Sequence, residues 1–206
     1  MLKVLAGTKM QPYSIPPGQG LPKQAQVVVT DVSGDLPTHV LAVPSPSAPS
    51  RLKVEMFPVH HLIIAAHCAR LILPKAAELD RTSITPGSML TLPVVPLSLP
   101  HPQSFALIES YLYTKSRERL LSALLPHAPS RVMLAAARSP DAFAALIADT
   151  FTPQAIMRHI KFVHGVWANM CTLGVHDDAM WVILQHAWEL LLVAHTSSSR
   201  RNSTSA

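Results

Sequence analysis

Proline placement sets the tightest limit on how this 206-residue chain can fold. Each of its nineteen prolines removes a backbone donor and fixes φ, so it ends a strand ladder or opens a helix but does not sit inside either. Most of them lie before His101, where regular segments must therefore be short. None follows Pro153, and the chain beyond it is free to form long helices.

Residues 1–25 hold Pro12, Pro16, Pro17, Pro22, Gly18 and Gly20, which predicts a flexible or extended leader. Gln26-Val27-Val28-Val29-Thr30 is a β-branched run closed by the turn residues Asp31, Ser33, Gly34 and Asp35. His39–Val43 predicts a second strand, whose pairing Pro44 and Pro46 should end. Arg51–Phe57 alternates polar and apolar with period two, the pattern of a half-buried strand. After Pro58 the period changes. Val59–Leu73 is apolar on nearly every side, which predicts a buried helix ended by Pro74. Residues 78–91 read as loop, and the prolines within Leu92–Leu99 favour an edge strand.

The remainder reads as helix. Pro102 suits a first turn leading through Phe105, Ile108, Tyr111 and Leu112. Ser116 can cap Arg117–Leu125, and Ser139-Pro140 and Thr152-Pro153 each put a capping hydroxyl before a first-turn proline. The last of these starts a long helix with Ile156, Ile160, Val163, Trp167 and Met170 on one stripe, ending near Gly174. Asp177 and Asp178 favour the start of a final helix, where acidic side chains meet the positive end of the dipole. That helix carries Met180, Leu184, Ala187, Leu191 and Ala194 on one stripe and Trp181, Trp188 and Leu192 on another.

Hydrophobic residues make up 49% of the chain and charged residues only 14%. Global disorder is excluded, because so much apolar content offsets chain entropy by burial. No apolar run reaches the roughly 18 residues of a membrane span. Met1–Leu5 begins like a signal peptide, but the apolar stretch stops at Gly7-Thr8-Lys9, short of the roughly 7–15 residues a secretory segment needs. Cys68 and Cys171 sit in apolar helical patterns and read as buried thiols of a reducing compartment. The expected location is the nucleus, the cytoplasm or both. The net charge of +5 comes from scattered cations, Lys115-Arg117-Arg119 and Arg200-Arg201 being the densest groups. Scattering of this kind argues against direct nucleic-acid binding, which needs cations gathered on one face.

Catalytic and metal-binding patterns are missing. His60 and His67 are two helical turns apart, about 10 Å, too far to share a zinc. His159 and His164 are spaced to miss a common face, and no C-x-x-C, H-E-x-x-H or G-x-S-x-G occurs. Gly18-Gln19-Gly20 lacks the third glycine of a phosphate loop and precedes a strand. The residues therefore imply no catalytic group, no metal and no cofactor.

Trp181 and Trp188 are seven apart and share one side of the last helix, with Leu192 and His195 continuing the line. The stripe either packs on the preceding helix through Trp167 or forms an exposed aromatic anchor for a partner, as tryptophan does at interface hot spots.

Phe57-Pro58-Val59-His60-His61-Leu62-Ile63-Ile64-Ala65-Ala66-His67-Cys68 resembles the strand-to-helix motif of BTB/POZ domains. Leu99–Thr114, with Phe105 and the closing Tyr111-Leu112-Tyr113-Thr114, resembles the later motif of the same domains. These two segments, with Thr38–Pro46 and the run from His164-Gly165-Val166-Trp167 through Asp177-Asp178-Ala179-Met180-Trp181, are similar to the fungal clampless family of developmental regulators. The likeness covers residues 38–195. It implies an α+β fold, and with the pattern of the residues it divides the chain into a Pro/Gly-rich leader at 1–25, a BTB/POZ-like domain at 26–126, a helical extension at 127–195 and a disordered tail almost without apolar content at 196–206. It also implies a non-enzymatic regulator of clamp formation and mating that binds protein partners such as transcription factors. A homodimer is compatible with it, and a membrane is not involved. The strand before the Pro-rich segment departs from the usual BTB opening, so the BTB dimer interface is not implied. Trp181, Trp188 and Leu192 are the candidate partner-binding residues, and His60, Phe105, Tyr111 and Tyr113 the candidate structural ones. The alternative is a basic DNA-binding transcriptional regulator, favoured if Lys115, Arg117, Arg119, Arg158 and Lys161 share a face.

Overall fold

A computed structural model describes residues 8–9, 13–15, 20–45, 52–75, 84–126 and 140–204. Ser139 and Pro46 lie outside the described residues. The chain forms two compact units that are not contiguous in sequence. The first comprises Met1–Gln103, Leu112–Thr114 and Cys171–His176, and the second the remainder. Together they make a mixed α+β architecture.

The first unit is built on a six-stranded sheet. Its strands are β1 (Thr8–Lys9), β2 (Tyr13–Ile15), β3 (Gln24–Val29), β4 (His39–Ser45), β5 (Leu52–Val59) and β6 (Met89–Pro96), in the spatial order β1-β3-β6-β4-β5-β2. All pairings are antiparallel except β4 with β6. Alternation along β3 sends Val27 and Val29 inward, where they join Leu36, Val40, Leu90 and Leu92 in one buried cluster. Side-chain direction alternates along a strand, so this one register fixes the whole face.

Several expectations are corrected. β6 is central, not an edge: β3 pairs with it through Pro93, and β4 pairs with Val94 through Pro96. Each proline therefore sits where one ladder ends. The residues after them keep the bonding going, Val94 N–H donating to Lys23 O at 2.9 Å and Leu97 N–H to Ala42 O at 2.9 Å. Pairing of β4 with β5 also runs past Pro44 to Ser45. Two short strands fall within the 1–25 leader, held by pairing with distant strands.

The run Val59–Leu73 is not one buried helix. Val59 ends β5, and helix α1 spans only His61–His67. Leu62 is 79% exposed and Ile72 87% exposed. Beyond α1 the chain turns away to bond Gly174 and Val175: Ala69 N–H donates to Gly174 O, Arg70 N–H to Leu173 O, and Cys68 bridges to Val175. Non-local hydrogen bonds have replaced the helical ones.

The helices of the second half start and stop close to the expected signals. A 3₁₀ turn at Pro102–Ser104 leads into α2 (Phe105–Thr114). Helix α3 (Arg117–Leu124) is capped by Ser116, whose hydroxyl accepts from Arg119 N–H. Helix α4 spans Pro140–Thr150, and α5 spans Pro153–Leu173 with the Thr152 hydroxyl accepting from Ala155 N–H. Gly174 follows α5 with φ +66°, and a Cβ there would lie 2.8 Å from Arg70 Cγ, so the turn demands glycine twice over. Helix α6 runs from Asp178 to Thr204, through most of the segment expected as a tail. Asp177 opens it, its carboxylate accepting from Met180 N–H at 3.0 Å. Within the second unit α4 and α3 both pack along α6, whose Met180, Leu184, Ala187, Leu191 and Ala194 stripe is buried.

Candidate protein-interaction groove

All three tryptophans of the chain line one groove in the second unit. Helix α5 contributes Val163 and Trp167, and α6 contributes Trp181, Leu184 and Trp188. Val163 and Leu184 are buried and make the floor. Trp181 and Trp188 are half-buried, and Trp167 is 48% exposed. The space they enclose is about 500 Å³, within the range of sites that take a ligand or an anchoring side chain. Bulky indoles at facing positions line this space instead of filling a closed interface.

Trp181 and Trp188 are thus neither core residues nor fully exposed ones. Ile156, Ile160, Val163 and Met170 are buried as expected of the α5 stripe, but Trp167 leaves it. Its ring stacks on His164 at a centroid distance of 5.7 Å and 28° between planes. Leu192 does not line the groove; it lies one turn beyond Trp188 and is 42% exposed. The other lining residues are polar. They are His164 and Gln185, whose amide donates to Glu189 on the same helix at 2.9 Å.

The four candidate structural residues are all buried. His60 and Tyr113 share a hydrogen-bond network in the first unit. The Tyr113 hydroxyl oxygen accepts from His60 N–H at 2.9 Å and lies 2.9 Å from Nδ1, while Nε2 lies 3.0 Å from the Asp35 carbonyl. A carbonyl only accepts, so the ring proton sits on Nε2 and Nδ1 takes the Tyr113 proton. Thr38 supports the same corner, its hydroxyl accepting from His61 N–H at 2.8 Å to cap α1. His39, fully buried beside it, reaches Pro74 O through Nε2, and burial lowers its pKa.

Phe105 packs in the second unit at 2% exposure. Tyr111 is tied to the start of α6, its hydroxyl donating to Asp177 Oδ1 at 3.4 Å while Lys115 Nζ meets Asp177 Oδ2 at 2.7 Å. Burial, and then the Asp177 charge, raise the Tyr111 pKa. Asp177 is thus helix cap, ion-pair partner and phenol acceptor at once, a convergence that local sequence signals did not reveal. Glu109, also not anticipated, is a buried carboxylic acid on α2, its pKa pushed up to about 7 by desolvation.

Among the described residues no three His, Cys, Asp or Glu side chains gather as a metal site, and no helix is long and apolar enough to cross a membrane.

Comparison with known proteins gives the groove a family context. Residues 1–100 match the model of the Clampless protein 1 N-terminal domain, and residues 118–206 match that of the Clampless protein 1 C-terminal domain. Over 118 residues, 56% of this chain, the sequence is 33% identical to Clampless protein 1 of Cryptococcus neoformans var. neoformans serotype D, in each of two strains. The matched stretch takes in 22% of that protein, so the chain spans about a fifth of the length of these relatives. No solved structure matches the chain. With the two domains of one family matched in order along nearly all of its length, the chain belongs to the clampless family.

Proposed function

We propose that this chain is a non-enzymatic protein-interaction module acting in fungal clamp formation, and that the tryptophan groove of its helical unit is where a partner docks. The observation that carries the proposal is the gathering of all three tryptophans, none fully buried, around a single apolar groove. Tryptophan anchors dominate binding energy where they can be covered by a partner, about 2 kcal/mol or more for each hot spot. Transcription factors are the proposed partners and the nucleus a proposed site of action, in keeping with a regulator of development. The first unit is proposed to serve as a BTB/POZ-like core. The passage from β5 into α1 at His60, and the two hydrogen bonds that histidine shares with the Tyr113 hydroxyl at the end of α2, support this reading.

The test is complementation in a clamp-forming fungus lacking its own clampless protein. Wild-type chain should restore clamp connections. The Trp181→Ala, Trp188→Ala double variant should fail while keeping its far-UV circular dichroism and melting temperature. A folded double variant that restores clamps as well as wild type would exclude the groove.

A further inference from the structure

We infer that the seam between α5 and α6 is built for an acidic, amphipathic partner helix, its apolar side chains in the tryptophan groove and its carboxylates on Arg158 and Lys161. This rests on the docking reading above and adds the chemistry of the partner.

The seam is chemically divided along its length. Beyond the groove, away from the Gly174 turn, a second depression of about 330 Å³ lies between the same two helices. It is lined by Met157, Arg158, Lys161 and His195, among others. Arg158 and Lys161 are exposed, and Lys161 lies one turn from His164 on the same side of α5. Nine residues separate Arg158 from Trp167, about 14 Å along the axis, or between two and three helical turns. A partner helix lying along the seam would present apolar residues to the indoles. Its next turn or two would reach the two cations.

Charge decides among the occupants such a seam could take. An aromatic box can hold a quaternary ammonium by cation–π attraction. Here no carboxylate lines the groove, the nearby Glu189 is engaged by the Gln185 amide, and the charged residues of the second depression, Arg158 and Lys161, are both cations, so a cationic ligand is disfavoured. A second copy of this chain carries the same net charge of +5 and is disfavoured likewise. Single-stranded nucleic acid stacks on aromatics but needs cations tracking its backbone, and two at one end do not supply that track. An acidic helix with an apolar face satisfies both halves.

The test uses the whole 206-residue chain and its own tryptophan fluorescence, because every indole in the chain reports on the groove. The probes are two stapled helical peptides of about 15 residues with the same leucine and phenylalanine face. One carries glutamates at its end and the other lysines. The acidic peptide should bind roughly fivefold or more tightly, a preference that two solvent-exposed charge pairs can supply. Arg158→Glu with Lys161→Glu should invert the preference without moving the emission of the free protein. Equal binding of both peptides would overturn the acidic assignment and leave the docking reading standing. Binding of neither peptide would overturn both. Tighter binding of oligo-dT or of tetramethylammonium would assign the groove to another ligand class.

Discussion

Glu109 shows how one buried side chain makes stability depend on pH. Below its unfolded value near 4.5 both the folded and unfolded chains hold the proton, and the group is harmless. Between that point and about 7 the unfolded chain ionises first, so stability falls as pH rises. Above about 7 the whole penalty is present, about 3 kcal/mol at 1.36 kcal/mol for each pH unit. Glu109→Gln should therefore stabilise the protein by up to about 3 kcal/mol at pH 8 and have little effect below pH 4.5, measured by chemical denaturation. His39 works in the opposite direction. Its lowered folded pKa means that the unfolded chain takes up the proton first as pH drops below 6.5, so acid destabilises. Comparing the Glu109 variant with its parent at each pH cancels the histidine and isolates the carboxyl. An equal gain at pH 4 and pH 8 would mean that Glu109 is solvated.

At the scale of elements, the helices were legible and much of the sheet was not. Ser116, Thr152 and Gly174 mark helix ends by chemistry confined to a few neighbouring residues, and each does so in the fold. The inward residues of α6 followed from spacing alone. Strand order has no such local source. The prolines of β6 suggested an edge, yet the strand is central because its two neighbours divide its length between them at Pro93. The apolar run after Pro58 suggested a long helix, yet partners more than a hundred residues away take up the backbone at Ala69 and Arg70. The groove was half legible: spacing put Trp181 and Trp188 on one side, but only the fold brings Trp167 to the same space. Helix α2 offers a direct check on the legible part. Phe105 and Leu112 are seven apart and both buried. Phe105→Ala should cost about 3–5 kcal/mol in chemical denaturation. A loss below about 1 kcal/mol would place that face of α2 in solvent.

At the scale of the whole molecule, the two family matches divide the chain near residue 100, but its compact units do not. The first unit takes Leu112–Thr114 and Cys171–His176 from the helical half. These segments bring Tyr113, which holds His60, and the carbonyls of Leu173 and Gly174, which accept from Arg70 and Ala69. They also bring Leu112, Leu173 and Val175, all buried. Each lost hydrogen bond costs about 1 kcal/mol net, and each large apolar side chain removed from the core about 1.5–3 kcal/mol. Together these losses rival the 5–15 kcal/mol that typically holds a domain folded. Residues 1–103 expressed alone should therefore lack a cooperative thermal transition, and their amides at His60, Ala69 and Arg70 should exchange far faster than in the full chain. The matched N-terminal domain is then a stretch of sequence that folds only with the helical half present. A fragment that melts cooperatively at the temperature of the parent would show instead that the sheet stands without the residues lent to it, and that His60 and Arg70 find partners within the first 103 residues.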